Sequence, residues 1–168
     1  MQPFISPVNR VVGSSTTPHY GQTIVPFHYP STTQDLVDGH VMQIALGTST
    51  YGLGRSVEIA TASTPCPYVA GVCDQAVNVD STNPLNEYGF SSTTYRQINV
   101  VVAGAKADVR TDGSTTAGSA QMISGTAGYA TDMTATNEHN VFGVALETDT
   151  TTGTISADMM IDCLRWAF

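Results

Sequence analysis

The chain has 168 residues, 41% of them hydrophobic and only 12% charged, with a formal net charge of −8. That length makes one domain of ordinary size, able to bury a core without disulfides or a metal, and the low charge content leaves Thr, Ser, Asn and Gly to build the polar surface. The six basic residues, Arg10, Arg55, Arg96, Lys106, Arg110 and Arg165, are scattered, which argues against nucleic-acid and anionic-membrane partners, and no apolar run approaches the roughly 20 residues of a spanning helix.

The first stretch, residues 1–38, holds Pro3, Pro7, Pro18, Pro26 and Pro30, five of the eight prolines. Proline fixes φ and removes a donor, so neither a helix nor a central strand is expected there. The stretch reads as an extended arm. Phe4, Ile5, Val8, Val11, Val12, Ile24, Val25 and Phe27 make it too apolar for a solvated tail. It should lie on something: its own domain, a sister subunit or another protein. Met1 to Pro7 shows neither the basic nor the apolar region of a signal peptide. The expectation is a chain made in the cytoplasm and kept there, unless it leaves in a particle.

Residues 39–168 read as one β domain. His40 to Leu46 forms a candidate strand, Gly47 to Gly54 a turn region, and Arg55 to Ala60 alternates with period two. A motif then occurs twice: Tyr68-Val69-Ala70-Gly71-Val72-Cys73-Asp74 and Asn140-Val141-Phe142-Gly143-Val144-Ala145-Leu146-Glu147. Each copy is an apolar strand interrupted by glycine and followed by a carboxylate. Glycine inside a strand marks a bulge or a close backbone approach.

Residues 80–94 form a polar loop. Residues 95–103 are the strongest strand, with Ile98, Val100 and Val102 on one face, and the sequence through Arg110 suggests a central hairpin. Asp112-Gly113 is a turn signal, and Gly125 and Gly128 bracket another. Residues 154–164 alternate, with Ile155, Ala157, Met159, Ile161 and Cys163 on one face and Asp158 and Asp162 on the other. A short helical turn near 115–123 or 131–138 is the sole helical candidate. Many short strands at this spacing indicate a barrel or sandwich.

Chemistry is sparse. No nucleophile elbow, P-loop or dinucleotide fingerprint occurs. His19, His28, His40 and His139 sit at no recognised spacing and read as packing, interface or loop residues. Asp108, Asp112, Glu138, Glu147, Asp149, Asp158 and Asp162 read as solvated loop and strand-edge acids. Glu147, Asp149 and Asp112 could supply calcium oxygens, but the EF-hand loop pattern is absent. Cys66, Cys73 and Cys163 read as reduced, buried thiols. No catalytic, cofactor-binding or metal-binding residue is therefore assigned. Trp166 reads either as a core plug or as an aromatic anchor in a subunit contact.

The order of motifs resembles the head decoration, or capsid cement, proteins of tailed bacteriophages. The resemblance rests on a "GV" plus acid after the first glycine strand, then Ile98 to Arg110, Thr111 to Thr131, and Asn140 to Asp162. It runs from about Asp38 to Leu164. It implies an all-β fold, a small β-barrel or β-tulip-like domain with an extended Pro-rich N-terminal arm. It also implies no enzymatic activity, a location on the outer capsid surface of the virion, a homotrimer, and the major capsid protein as partner. On that reading Phe4, Ile5, Val8, Val11, Val12, Ile24, Val25, Phe27 and Trp166 are the candidate capsid or subunit contacts. The longer arm and the 80–94 loop depart from the smaller members of the family. The alternative is a glycan-binding or adhesive module using Tyr51, Tyr88, Phe90, Tyr95 and Tyr129. A hydrolase built on a carboxylate pair is the third reading.

Overall fold

The computed structural model describes residues 21–31, 33–46, 56–62, 68–77, 97–134, 141–150 and 155–163. Among these residues every regular element is a strand: β1 Thr23–His28, β2 Val41–Ile44, β3 Val57–Ile59, β4 Val69–Cys73, β5 Gln97–Thr111, β6 Ala120–Ile123, β7 Ala130–Asp132, β8 Gly143–Ala145 and β9 Ile155–Asp162. Of the two places where a helical turn was expected, residues 115–119 are loop and 120–123 are β6, while 131–132 belong to β7, 133–134 are loop and 135–138 lie outside the described residues.

Strands β5, β9, β8, β6 and β7 form a ring. Each neighbour is antiparallel except the closure, where Thr111 of β5 pairs Ala130 of β7 in parallel. The chain is thus a closed five-stranded barrel with extra strands. Closure removes the free edges that an open sheet would expose. Strands β3, β2 and β4 continue the sheet from β5, and β1 pairs β5 separately.

Strand β5 belongs to both parts. In its first half Ile98, Val100 and Val102 are buried on one face, and Val101 is buried on the other, which also carries Gln97 and Asn99. Ile98, Val100 and Val102 enter one core with Met42, Val57, Ala70, Cys73 and Tyr29. Val101 enters a second core with Val41, Val72, Phe142, Met159 and Ile161, which fills the barrel. The expected central hairpin does not form. Gly104, at φ +101°, and Asp108, at φ +58°, bend the chain, and pairing with β9 resumes after the irregularity between Lys106 and Val109. A single glycine without a two-residue turn pair redirects a strand instead of reversing it.

The twin glycines do what their position in a strand implies. A Cβ on Gly71 would lie 2.2 Å from the Val101 carbonyl oxygen, and one on Gly143 would lie 2.5 Å from the Met160 carbonyl oxygen. Both strands sit against neighbouring backbone that only glycine admits.

The second half of the arm belongs to the domain. Strand β1 runs antiparallel to β5, from Ile24 opposite Val101 to His28 opposite Gln97. Pro26 is tolerated because β1 is an edge strand. Leu36 exchanges backbone hydrogen bonds with Val77. Of the three places an apolar arm could lie, residues 23–28 take their own sheet.

One charged junction ties these parts together. Lys106 of β5 is buried, its side chain 6% exposed. Its Nζ lies 2.9 Å from Asp38 Oδ1 and 3.2 Å from Asp74 Oδ1. The enclosed Asp38 Oδ1 has this ammonium as its partner. Asp38 precedes β2 and Asp74 follows β4. Between them Gly39 donates to the Cys73 carbonyl and accepts from the Arg110 amide, while the Cys73 amide donates to His40. A Cβ on Gly39 would meet the Asp108 carbonyl oxygen at 2.0 Å. Burial draws the Lys106 pKa down, but the hydrogen bond and charge of Asp38, with Asp74, outweigh it and raise it above 10.5.

This packing has consequences that unfolding experiments can read. Gly71→Ala should cost about 3 kcal/mol or more through clash and strain, whereas Gly118→Ala, whose site is open, should cost only about 1 kcal/mol, read as urea midpoints. On the alkaline side, Cys73 and Cys163 are pushed from 9.0 up to about 12 by burial, and Lys106 also titrates higher folded than unfolded. Groups raised on folding stabilise fully below their unfolded pKa, and that contribution fades as pH climbs through the folded value. Unfolding free energy should therefore fall from about pH 9 toward pH 12. Lys106→Met should cost about 2 kcal/mol near neutrality, because its two acids are partly hydrated, and should flatten the upper part of that decline.

Candidate interaction surface

Barrel strands send alternate side chains inward and outward. The outward positions on this barrel are apolar along one line. Ala105 of β5 pairs Met160 of β9, Met160 pairs Val144 of β8, and Val144 pairs Ala120 of β6. Directly paired antiparallel residues share a face, so these four form a row. Met133, whose amide donates to the Ala120 carbonyl, extends it past β7. Leu146, two residues beyond Val144, widens it. Leu146 is 49% exposed, Met160 42%, Val144 40% and Met133 37%. The row crosses all five strands of the ring and so runs around the barrel; its largest exposed apolar neighbours on adjacent strands are Met160 of β9 and Val144 and Leu146 at β8.

The rim of the row is acidic. Asp158 and Asp162 flank Met160 on the same face of β9, and Glu147 follows Leu146. A contiguous apolar strip with a polar rim is how protein-binding surfaces are built.

The polar groups of the barrel mostly serve the fold. Asp149 is buried, against the expectation of a solvated acid, and its Oδ2 accepts from Thr111 Oγ1 at 2.7 Å. Asp112 accepts from the Ser114 amide at 3.1 Å and from Ser124 Oγ at 2.7 Å. Glu147 Oε1 accepts from the Asp158 amide at 3.0 Å. The three candidate calcium acids are thus engaged with separate protein donors, and among the described residues no three His, Cys, Asp or Glu converge as metal ligands. Burial pushes the Asp132 carboxyl up, but hydrogen bonds from the Thr116 amide and Gln121 Nε2 outweigh that and hold it below 3.8. Burial, with the Arg110 charge, lowers the His40 pKa below 6.5, and the Val37 amide donates to Nδ1. A ring whose Nδ1 accepts in this way is a neutral packing group. His28 Nδ1 lies 3.3 Å from Ser56 Oγ, also inside the sheet. Cys73 and Cys163 are buried thiols.

The candidate contacts divide by position. Ile24 packs against the barrel core, and Val25 and Phe27 pack against the other core. They are half-buried within the protein itself, which leaves little of them for a partner. Phe4, Ile5, Val8, Val11, Val12 and Trp166 lie outside the described residues. So do Tyr51, Tyr88, Phe90, Tyr95, His19, His139, Cys66, Glu138 and the 80–94 loop. Tyr129 is half-buried, its ring 6.1 Å from that of His40. The row itself was missed in the sequence, although its signal was present: Met160 shares parity with Asp158 and Asp162, on the face opposite Ala157, Met159 and Ile161.

Outward and inward apolar side chains should separate in a stability test. Val144→Thr should change unfolding free energy by less than about 0.5 kcal/mol, while Met159→Ala, which opens the barrel core, should cost about 2–5 kcal/mol in thermal or urea unfolding.

No protein-family model, curated protein or solved structure matches the chain.

Proposed function

We propose that the chain is a non-catalytic structural protein that decorates the outer surface of a phage head. In this reading it binds the major capsid protein as a homotrimer and braces the shell against internal pressure. The observation that carries the reading is the solvent-facing apolar patch of Met160, Val144 and Leu146 on neighbouring strands, bordered by Asp158, Asp162 and Glu147. The resemblance of the strand and turn order to capsid cement proteins supports it. So does the apolar leader upstream of β1, with Phe4, Ile5, Val8, Val11 and Val12 as shell contacts.

The physics suits a clamp. A closed barrel presents its outward side chains at fixed positions, so docking costs little ordering entropy. A leader rich in proline has lost part of its conformational freedom in advance. Each contact can be weak, because a trimer engages several shell subunits together and gains avidity without new chemistry.

The test compares the whole chain with a form lacking residues 1–20 and with the full-length Phe4→Ser/Ile5→Ser/Val8→Ser variant, in co-sedimentation with expanded empty capsids. The deletion must stop before Thr23, since removing β1 would strip a strand from β5. The wild type should co-sediment and have a trimer mass, and both altered forms should bind at least about tenfold more weakly. Undiminished binding by both would remove the leader from the contact, and a wild type that never co-sediments would overturn the function.

A further inference from the structure

The junction of Lys106 with Asp38 and Asp74 brings reactive groups together as well as opposite charges. Nζ lies 2.9 Å from Asp38 Oδ1 and 3.2 Å from Asp74 Oδ1, so one amine touches two carboxylates at once. Backbone contacts hold both acids in place. Arg110 Nε donates to the Asp38 carbonyl at 3.3 Å, and the Asp74 amide donates to the Asn99 carbonyl at 3.0 Å. Asp38 Oδ1 is closed to solvent and the Lys106 side chain is 6% exposed, whereas the Asp38 side chain as a whole is 49% exposed. The touching atoms are enclosed, while a path to water stays open beside them.

An amine and a carboxylate fixed in contact can condense. Holding two reactants in place replaces a bimolecular encounter with an effectively unimolecular step, with effective molarities of about 10⁵ M or more in well-oriented cases. Moving one proton from the ammonium to a carboxylate turns two charges into a neutral amine and a neutral acid, a pair that burial favours. The ion pair is still the resting state, because the acids hold the ammonium above its ordinary pKa. Condensation therefore draws on a minor form of the pair and is slow. An Asp-Gly sequence has a competing reaction, closure of the glycine amide onto the aspartate carboxyl. Here the Gly39 amide is engaged by the Cys73 carbonyl at 3.0 Å, and Lys106 is the amine that faces the Asp38 carboxyl.

We propose that Lys106 and Asp38 join in an intramolecular amide bond, with Asp74 as the acid–base group. Asp74 takes a proton from the Lys106 ammonium, and the freed amine attacks Asp38 Cγ. A bond forms between Nζ and Cγ, and one bond from Cγ to a carboxylate oxygen breaks. Asp74 passes its proton to the departing oxygen and a second Nζ proton follows, so that water leaves and Asp74 is a carboxylate again. Ammonium and carboxylate become amide and water, with no oxidant and no change in net charge. The ion pair described above is the state before this bond forms. The bond ties the segment before β2 to β5 covalently, and a cross-link between residues so far apart in sequence constrains the unfolded chain. No shell protein takes part, so a failed capsid experiment would not touch the proposal.

Peptide mapping tests it directly. The folded full chain is held at neutral pH for several days, then denatured and digested with trypsin, which cuts after Arg10, Arg55, Arg96, Lys106 and Arg110. Asp38 lies in residues 11–55, Asp74 in residues 56–96 and Lys106 at the end of residues 97–106. The intact chain should be lighter than its sequence by one water. The digest should hold a branched peptide, residues 11–55 joined to residues 97–110 and uncut at Lys106. Asp38→Ala and Lys106→Arg should keep the full mass, and Asp74→Asn should slow the loss of water about a hundredfold. Undiminished ligation in Asp74→Asn would overturn the acid–base role. The wild type decides the bond itself, even where a variant fails to fold. Unbranched peptides cut at Lys106 would overturn the proposal. So would a loss of water confined to residues 11–55, the mark of a ring closed at Asp38-Gly39, or a branch joining residues 56–96 to residues 97–110, which would place the bond on Asp74.

Discussion

An ammonium group held out of water between two carboxylates is the constraint on which this architecture turns. Lysine is rarely buried unless paired, because desolvating its charge is costly. Lys106 accepts that cost in the strand that pairs with β1, β4, β7 and β9, and Asp38 and Asp74 offset it. Its two partners come from the segment before β2 and from the end of β4, so the ion pair fixes where the outer strands sit on the barrel. Gly39, pressed against the Asp108 carbonyl, brings the backbone in closely enough for the same junction to be hydrogen-bonded as well as charged. Loss of either element would free the β2–β4 layer from the bent half of β5.

That junction also bears on function. With Lys106 consumed inside, and Asp112, Asp132 and Asp149 each engaged by hydroxyl or amide donors, much of the polar chemistry of the barrel is spent on its own stability. Where β9 and β8 adjoin, the barrel turns the apolar side chains of Met160, Val144 and Leu146 outward. A rigid scaffold presenting a strip of methionine and valine has the character of a docking body, and methionine is suited to such a strip because its unbranched thioether adapts to the partner's shape.

Period-two parity was legible wherever a strand had one inward face. Ile98, Val100 and Val102 share one core as their spacing implied, as do Ala157, Met159, Ile161 and Cys163 in the barrel. Gly71 inside β4 and Gly143 at the start of β8 were legible for the same reason, since a missing side chain in an apolar stretch signals a neighbour too close for one. What escaped were features set by distant partners. The bend at Gly104 looked like a hairpin because the local sequence does not say that β9 will take over the pairing. Strand β1 was read as an extended arm with its support left open among its own domain, a sister subunit and another protein, because Pro26 conceals a strand that needs a partner on one side only. Lys106 had the parity of an inward residue, yet its acids lie far away in sequence. Asp149 resembled any turn acid until Thr111 was placed beside it.

The shared strand has a consequence for how the chain comes to be made. Among the described residues β1 pairs along its length with β5, which begins only at Gln97, and His28 adds a single bridge to Ser56. The β2–β3–β4 layer can pair within itself earlier, but half of its apolar surface awaits the same strand. Productive assembly during translation must therefore pass through a long interval in which early apolar segments have no partner. Such non-local topologies fold slowly and expose sticky intermediates. For a protein made in quantity, the emergence of a single fifteen-residue segment from the ribosome would govern the yield of soluble product.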